Sequence, residues 1–364
     1  MYALIYVPQA GSYIRVGDSQ MARPTVHDIA REAGVSLATV DRVLNARPRV
    51  RESSILRVQN AVDKLGYVRD VSAANLAKRK EYRFAFVVPD SKSQFTETIR
   101  TELSEMKQVP GPDRISIETI LAPVDDPNAT ARILMGLDAA RFDGVAIMCP
   151  ETPQVRDAVT RLKQAGLAVV ALVSDLPSSE RDHFVGVDNI AAGRTAGALM
   201  GRFLGGKTGK VLVVSGSLSS RDSIERRFGF DSILAEGFSA VEVLPTIESR
   251  DDNHRLISIV KQIVATHQVV VGIYALGGGN AAILDALRAA GRIRDITLIM
   301  HELTPTTRAA LAADEVDVVI MQNVGHLIRS SIRVLRAYAD KTTFVDSQEK
   351  IRIEIVMKEN LVEA

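Results

Sequence analysis

The stretch that decides the fold of the first part of the chain is Thr25–Asn45, which reads TVHDIAREAGVSLATVDRVLN. Thr25 can cap a first helix, and Asp28, three residues later, completes a variant of the capping box. Gly34 ends this helix, because a residue without Cβ can turn the chain at little cost. Ser36 can cap a second helix. The turn is so short that the two helices must cross steeply and share a core.

Apolar residues recur at helical spacing in both segments, which predicts one buried stripe on each helix. They are Ile29, Ala30, Ala33, Val40, Val43 and Leu44. A third helix over Arg51–Leu65 would close a small three-helix core. An ordinary helical hairpin is the alternative; the pattern favours a helix-turn-helix unit, whose second helix enters the DNA major groove.

The pattern continues beyond the third helix with Gly66-Tyr67 and then AANLAKRK, Ala73–Lys80. The run Arg23–Lys80, and above all D-I-A-R-E-A-G-V-S-x-x-T-V-x-R-V-L-N, resembles the DNA-binding headpiece and hinge of the lactose/galactose-repressor (LacI) family. The resemblance implies a DNA-binding domain over 23–69 and a hinge over 70–81. It also implies a homodimer whose partner is double-stranded operator DNA.

The net charge of +1 conceals an uneven distribution. From Met21 to Lys80 there are 12 Lys and Arg against 6 Asp and Glu, whereas the residues from Glu81 onward carry 32 against 37. A basic head on a mildly acidic body fits a protein that contacts phosphates with one end.

Cysteine usage and hydropathy predict a cytoplasmic protein with no membrane partner. The single cysteine, Cys149, excludes an internal disulfide framework, and its place at the end of the apolar run Val145–Cys149 predicts a buried small hydrophobe. No apolar stretch approaches the roughly 20 residues that span a membrane. Residues 1–22 lack the features of a signal peptide, so we expect a disordered extension, with translation starting at Met1 or Met21.

After the hinge, short apolar runs alternate with helical stretches. The predicted strands are Phe84–Pro89, Ile115–Leu121, Gly144–Cys149, Ala168–Val173, Val211–Val214, Val241–Leu244, Val269–Tyr274, Ile296–Met300 and Val316–Met321. The predicted helices include Gln154–Ala165, Ala191–Leu204, Asn253–Thr266 and Ala281–Ala290. Continuous apolar strands are typical of parallel sheets covered by helices on both faces, so the fold class is α/β with doubly wound parallel sheets.

Three motifs in this region are V-G-V-D-N-x-x-A-G-R (Val185–Arg194), E-R-R-F-G-F (Glu225–Phe230) and H-E-L-T-P (His301–Pro305). They resemble the type I periplasmic sugar-binding proteins that the same family uses as its regulatory module. The resemblance implies an effector-binding and dimerisation domain over 82–364. Its two subdomains would cover about 82–187 plus 323–347, and 188–322 plus 348–358.

The second helix of the headpiece carries the predicted base-reading residues. Arg42 can reach guanine O6 and N7 with two hydrogen bonds, whereas Leu37 and Ala38 offer only apolar contact. The residues predicted to contact the phosphate backbone are Thr25, His27, Ser36, Thr39 and Asn45. Simple surface capping is the alternative role for Thr25 and His27.

Two residues depart from the family's usual pattern. Asp41 stands where a small hydroxyl residue is common, and a carboxylate near phosphates is unfavourable unless it pairs with an arginine or accepts from cytosine N4. Arg51 stands where a capping serine or threonine is common, so we expect the third helix to start less firmly.

The hinge is expected to carry a second DNA element. In the family this segment becomes a short helix only on DNA, and a leucine at the position of Leu76 wedges into the minor groove. Without a duplex the segment is too short to be helical. A plain linker leucine is the alternative.

Polar residues at strand ends are the candidates for the effector site, because ligands of open α/β sheets bind at the carboxyl ends of the strands. The candidates are Asp90, Phe95, Asp175, Arg226, Glu302 and Gln322. Arg226, predicted at the opening of a helix, suits vicinal hydroxyls or a carboxylate, with an interdomain salt bridge as the alternative. Helix capping or hinge bonding is the alternative for Asp175, Glu302 and Gln322, and Asp188 is expected to brace a crossover.

The segment Tyr274–Asn280, which reads YALGGGN, contains a glycine cluster between a predicted strand and helix. Bare N–H groups in such a loop can cradle phosphate, which keeps a sugar phosphate open as the effector. The dinucleotide-binding interpretation fails because the unit lies late in the chain and lacks the acidic partner.

These features predict a ligand-responsive transcriptional regulator, a repressor of sugar or polyol catabolism or uptake genes that the effector releases from a palindromic operator. The alternative is an effector-activated or corepressor-dependent regulator of a non-sugar or phosphorylated metabolite. A sugar-binding transport protein is least favoured because of the basic headpiece. An enzyme is not expected, since paired metal ligands, a G-x-S-x-G elbow and a phosphate-loop lysine are missing from the sequence; nor is a cofactor or metal.

Overall fold

The structure is a computed structural model that describes residues 3–7, 12–16, 24–44, 47–67, 80–108, 114–266 and 269–362. The chain divides into two compact units, Met1–Lys78 and Arg79–Ala364. In the first unit, strands β1 (Ala3–Val7) and β2 (Ser12–Val16) pair antiparallel. This differs from the disordered extension expected over residues 1–22, because the β-branched and aromatic residues of these two segments favour extended pairing.

The helix-turn-helix unit forms as the sequence predicts. Its helices are α1 (Val26–Ala33), α2 (Leu37–Leu44) and α3 (Glu52–Leu65). The Thr25 N–H donates to Asp28 Oδ2 at 2.9 Å, and the Asp28 N–H donates to Thr25 Oγ1 at 3.4 Å. Gly34 ends α1 with a φ of 59°, in the left-handed region that glycine tolerates best. The predicted capping box and glycine stop are both confirmed.

The cap of α2 is also confirmed, because the Thr39 N–H donates to Ser36 Oγ at 3.2 Å. Helix α3 follows Arg51, whose side chain makes no capping hydrogen bond, as expected. The three helices enclose a small core of Ile29, Ala33, Val40, Val58 and Ala61.

The second unit is built on two sheets with helices on their faces. The strands of the first sheet are β3 (Glu81–Pro89), β4 (Arg114–Ala122), β5 (Gly144–Ile147), β6 (Ala168–Leu172) and β7 (His183–Val185). They run parallel in the order β4-β3-β5-β6-β7. The first four were predicted; β7 is too short for hydrophobic periodicity to reveal. This sheet with its helices is called the first lobe.

The second sheet has the order β10-β8-β11-β12-β13-β14, with β9 also paired to β8. Its strands are β8 (Gly209–Ser215), β9 (Val241–Val243), β10 (Ile247–Glu248), β11 (Val270–Gly277), β12 (Thr297–His301), β13 (Val318–Gln322) and β14 (Ile353–Val356). Only β14 is antiparallel to its neighbour. This sheet with its helices is called the second lobe, and the predicted α/β class with doubly wound parallel sheets is confirmed.

Helices cover both faces of each sheet, so the central strands are buried along most of their length, whereas the edge strands β4 and β14 stay partly exposed. The helices of the second unit are α4 (Gln94–Gln108), α5 (Pro127–Met135), α6 (Pro153–Gln164), α7 (Asn189–Leu204), α8 (Arg221–Gly237), α9 (Asn253–Thr266), α10 (Asn280–Ala289), α11 (Pro305–Ala312) and α12 (Val324–Asp340). Helix α12 follows β13 of the second lobe but packs on β5 and β6 of the first. The chain therefore passes between the lobes after β7, after β13 and before β14.

Two side-chain hydrogen bonds join the lobes within this unit. Ser91 Oγ donates to Asp251 Oδ2 at 2.9 Å, and Gln94 Nε2 donates to Thr306 Oγ1 at 2.8 Å. Both bonds are exposed, so each adds little stability. In the described part of the chain, no helix combines the length and the apolar character that crossing a membrane requires.

Candidate functional site

The exposed face of α2 holds the predicted base-reading residues. Arg42 and Ala38 stand four residues apart on this face, and both are exposed. Leu37 is 41 % exposed and is therefore accessible to an apolar group such as a thymine methyl. Val40, on the opposite face, is fully buried. The buried side of α2 therefore holds the helix against the core, and its exposed side is accessible to a DNA groove.

The residues predicted to contact phosphates surround that face. His27 and Ser36 are exposed, and the hydroxyls of Thr25 and Thr39 are engaged in the caps of α1 and α2. The capping alternative for Thr25 therefore describes one of its roles. Asn45 and Leu76 lie outside the described residues.

Asp41 has the arginine partner that the sequence required of it. Arg47 Nη1 lies 3.4 Å from Asp41 Oδ2, just beyond the end of α2. The pair reduces the negative charge that the recognition face would otherwise present to a phosphate backbone.

In the second unit, Arg226 is the centre of a buried polar cluster of the second lobe. It is only 3 % exposed. Its Nε donates to Asn189 Oδ1 at 2.9 Å, its Nη1 donates to the Leu276 carbonyl at 2.7 Å, and its Nη2 lies 3.7 Å from Glu302 Oε1. Helix α8 begins five residues earlier than the sequence suggested, at Arg221, so Arg226 projects from the second turn.

Glu302 and Gln322 complete this cluster from two neighbouring strand ends. Gln322 Nε2 donates to Glu302 Oε1 at 2.8 Å, and both residues are buried. Burial raises the pKa of the Glu302 carboxyl, while Arg226 and the hydrogen bonds from Gln322 act against that rise. Gln322 Oε1 has no hydrogen-bond partner among the described residues, so it is an acceptor left open to a ligand hydroxyl.

A cavity of about 220 Å³ adjoins the cluster and lies between the lobes. Phe95 and Thr98 of α4 line it from the first lobe, and Glu302 and Gln322 line it from the second. An aromatic ring opposite a carboxylate and an amide can bind a ring that has an apolar face and a hydroxyl edge.

The other two candidates lie differently. Asp175 accepts from Arg181 Nη2 at 2.8 Å and also from the Arg181 Nε, so its carboxylate is paired within the first lobe. Burial raises the pKa of Glu225 on α8, the ion pair with Arg221 acts against that rise, and the charge of Asp175 adds a smaller increase. Asp90 is 67 % exposed, 3.9 Å from Arg100, and does not line the cavity.

One further residue of the cluster, Asn189, was missed as a ligand candidate. Asn189 directly follows Asp188, which caps α7 by accepting from the Ala191 N–H at 2.9 Å, as expected of a residue that braces the crossover. The motif V-G-V-D-N contains both, but its asparagine was not assigned a role.

Backbone strain marks both sides of the cleft. Val173 has a φ of 64°, rare for a β-branched residue, and the Ser174 N–H donates to the Leu172 carbonyl at 2.7 Å across it. The Ser174 hydroxyl is buried and has no partner in the described part of the chain. Glu302 has a φ of 69° on the opposite lobe. Such conformations cost about 1–3 kcal/mol each and cluster at ligand sites.

The glycines at 277–279 are required by the backbone itself. All three have positive φ, and a Cβ on Gly278 would lie 3.0 Å from the Cα of Gly216. A Cβ on Gly279 would lie 2.6 Å from Leu256 Cδ2. The loop can therefore pass close to its neighbours only with glycine.

Cys149 is buried, and burial raises the pKa of its thiol to about 12. The prediction of a small buried hydrophobe is confirmed. Among the described residues, no group of three His, Cys, Asp or Glu side chains is arranged to hold a metal ion.

Behind Arg226 lies a buried aromatic pair. His301 Nε2 and Tyr274 Oη are 2.8 Å apart, and the Tyr274 ring stacks on Phe230 with centroids 4.4 Å apart. Burial, together with the charge of Arg226, holds the pKa of His301 well below its usual range. His301 is therefore neutral in the folded protein.

This neutral histidine predicts a pH dependence of stability. As the pH falls through ~6.5, the unfolded chain takes up a proton at residue 301 that the folded chain does not, so the free energy of unfolding decreases. Between pH 6.5 and 5.5 we expect wild type to lose about 1 kcal/mol more than His301→Gln. Urea unfolding of both proteins at the two pH values measures this difference; equal losses would show that His301 titrates in the folded state.

Two family patterns match the chain. Residues 25–70 match the family described as bacterial regulatory proteins, lacI family, and residues 84–343 match the periplasmic binding protein domain. The chain therefore belongs to the periplasmic binding protein domain family, whose pattern spans more than half of it, and it carries a lacI-family regulatory domain in front of that pattern. The resemblance inferred from Thr25–Asn45 and from the motifs of the body is thus confirmed.

Three curated relatives carry names of a control protein or of transcriptional regulators. Catabolite control protein A of Streptococcus mutans is 28% identical over 163 residues, which are 44% of this chain and 47% of the relative. The regulator DegA of Bacillus subtilis is 24% identical over 48% of this chain and 50% of its own length. The chain thus spans about half the length of these two relatives. The regulator pepR1 of Lactobacillus delbrueckii subsp. lactis is 23% identical over 92% of this chain and 97% of its own length.

Solved structures share the fold of the second unit. A solute-binding protein from Burkholderia graminis in complex with D-arabinose has a TM-score of 0.70, with 22% identity over 78% of this chain and 98% of that one. A glucose-galactose binding protein from Geobacillus stearothermophilus has a TM-score of 0.67, with 18% identity over 78% of this chain and 99% of that one.

Proposed function

We propose that this lacI-family protein is a ligand-responsive DNA-binding transcriptional regulator. Specifically, it represses genes for sugar or polyol catabolism or uptake and acts as a homodimer on a near-palindromic operator in the cytoplasm. One observation carries the proposal. The same chain contains an exposed helix, α2, that can enter a DNA groove, and a two-lobed body with a buried polar cluster beside its cleft. The names of three relatives, one a control protein and two transcriptional regulators, support the proposal.

The headpiece supplies the DNA contacts. Arg42 reads a guanine in each half-site, and Leu37 and Ala38 contact apolar base edges. Thr25, His27, Ser36, Thr39 and Asn45 contact phosphates and fix the register of the helix. Leu76 of the hinge enters the minor groove and bends the operator.

The body supplies the ligand response. Arg226, Glu302 and Gln322 hydrogen-bond the hydroxyls of a sugar or polyol, and Phe95 covers its apolar face. A ligand held by both lobes binds the closed cleft better than the open one, so it shifts the angle between them. Across a dimer this shift separates the two hinges and weakens operator binding. The body thus acts as a sensor and not as an enzyme.

The experiment that tests this function is selection of bound duplexes from random DNA with the full-length protein, followed by thermal shifts with a panel of sugars and polyols. We expect a palindromic consensus with guanine in each half-site and at least one stabilising compound. Recovery of duplexes without any common sequence, with and without the panel compounds, would contradict a regulator.

A further inference from the structure

The last residue of α12, Asp340, is a buried carboxylate at a helix C-terminus. Its side chain is only 6 % exposed. The C-terminal end of a helix carries a partial negative charge, so an acidic side chain is unfavourable there. Lys341, the next residue, ends the helix in the left-handed region with a φ of 54°. Helix capping therefore does not explain Asp340, and a buried charge of this kind needs partners from other elements.

The partners of Asp340 come from the start of the second unit. Lys80 Nζ donates to Asp340 Oδ1 at 2.6 Å, and Tyr82 Oη donates to Asp340 Oδ2 at 2.6 Å. Lys80 Nζ lies 4.7 Å from the centroid of the Tyr82 ring, and the guanidinium carbon of Arg336 lies 5.5 Å from it. Burial, together with the Asp340 carboxylate, raises the pKa of Tyr82 to about 12, so its hydroxyl keeps the proton that it donates. These four residues are called the Asp340 anchor.

The Asp340 anchor holds the chain where the expected hinge ends. The sequence predicts the hinge over 70–81, and Lys80 is the first residue that the structure describes after residue 67. Strand β3 begins one residue later, at Glu81, whose neighbour in the sheet is Arg114. A side chain of α12 therefore fixes the chain at Lys80, directly before the sheet takes over.

The other end of α12 lies at the effector cavity. Asn323 caps the helix by accepting from the His326 N–H at 2.8 Å, and both Asn323 and Val324 line the cavity. The helix has 17 residues, which gives it a length of about 25 Å. It packs on β3, β5 and β6 of the first lobe. One packed helix thus reaches from the cavity to the end of the hinge.

We propose that Asp340 is a positioning residue for operator binding, because it holds the end of the hinge to α12 through Lys80 and Tyr82. This rests on the proposed function and names the contact through which the body acts on the hinge. A hinge whose end is released samples more conformations, and ordering it on the operator then costs more conformational entropy. A scrambled duplex is bound through its phosphates, so its affinity depends less on that order.

Tryptic cleavage of the full-length protein measures the Asp340 anchor without DNA or effector. Cleavage after Lys80 requires its side chain to leave Asp340. Asp340→Asn keeps an acceptor for Tyr82 but loses the charge that binds Lys80, so we expect cleavage after Lys80 to become about tenfold faster. Cleavage after Lys163, which donates to Asp182 at 2.6 Å in the same lobe, is the internal control and should keep its wild-type rate. Mass spectrometry of the fragments assigns the two sites.

Operator binding measures what the Asp340 anchor does. Asp340→Asn and Lys80→Met should each weaken binding of the selected operator about tenfold, and the double variant should lose no more than either single variant, because all three remove one interaction. Removing a negative charge would by itself strengthen DNA binding, so a loss in Asp340→Asn cannot come from charge alone. Lys80→Arg, which keeps the cation, should retain most of the affinity. Asp346→Asn, in an exposed pair with Lys350, is the matched control and should change nothing. Fluorescence anisotropy with operator and scrambled duplexes gives both affinities.

The outcomes separate this inference from the proposed function. Equal cleavage after Lys80 in wild type and Asp340→Asn overturns the anchor, whatever the protein does with DNA. Faster cleavage after both Lys80 and Lys163 reports a general loss of stability and overturns the positioning role. Faster cleavage after Lys80 alone, with an unchanged operator affinity, also overturns that role. A duplex selection without a consensus contradicts the regulator, and a rise in cleavage confined to Lys80 would then show that the failure lies there and not in the anchor.

Discussion

Replacing Arg226 with methionine is expected to abolish the ligand response and to lower the free energy of unfolding of the second unit by ~3–5 kcal/mol. The change removes the donor to Asn189 and to the Leu276 carbonyl, and it leaves the buried carboxylate of Glu302 without its cation. Breaking one side of a buried pair is costly because the remaining charge keeps its desolvation penalty. Urea unfolding and ligand-induced thermal shifts measure the two effects.

The double variant Arg226→Met with Glu302→Gln separates stability from binding. Removing the orphaned carboxylate should restore most of the lost stability, while the ligand response stays absent. Arg202→Met, an exposed arginine on α7, is the control and should change the free energy of unfolding by less than about 0.5 kcal/mol. A stability of Arg226→Met close to that of wild type would show that the cluster is not a buried ion pair.

Replacing Arg42 with alanine is expected to remove most of the preference for the selected operator over a scrambled duplex. A bidentate arginine–guanine contact provides ~1–3 kcal/mol of discrimination, and a palindromic site contains two such contacts. Arg42 is exposed on α2, and alanine is the better helix former, so the fold of the headpiece should be unchanged. Fluorescence anisotropy with both duplexes gives the ratio of affinities.

Arg31→Ala is the matched control for charge. Arg31 is also exposed, but it lies on α1 and 3.2 Å from Asp28. Its loss should weaken binding to both duplexes by similar small factors, because it removes a positive charge without removing a base contact. If Arg42→Ala behaves like Arg31→Ala, Arg42 does not read the operator sequence.

The headpiece could be predicted almost completely because its signals are local. The capping box at Thr25 and the glycine stop at Gly34 each act within one helical turn, and the structure reproduces both. The strands that were missed, β7 and β10, have three and two residues and depend on their neighbours in the sheet. The pairing of β1 with β2 was missed because residues 1–22 precede the stretch that resembles the family, and they were therefore expected to be disordered.

The effector site could be predicted only in part, because its geometry depends on contacts between distant strand ends. The expectation that ligands bind at the carboxyl ends of the strands selected Arg226, Glu302 and Gln322, and these three residues lie together in the structure. It also selected Asp175, whose carboxylate is paired with Arg181, a residue six positions later in a loop. Asn189 was not selected, since only the fold shows that its amide oxygen accepts a hydrogen bond from the Arg226 guanidinium.

The most direct test of the account is the affinity of full-length protein for the selected operator with and without the stabilising effector. The account predicts that saturating effector weakens operator binding, and that bound operator weakens effector binding by the same factor, because the two sites are linked through one change of state. Identical operator affinities in the presence and absence of an effector that binds the cleft would contradict it.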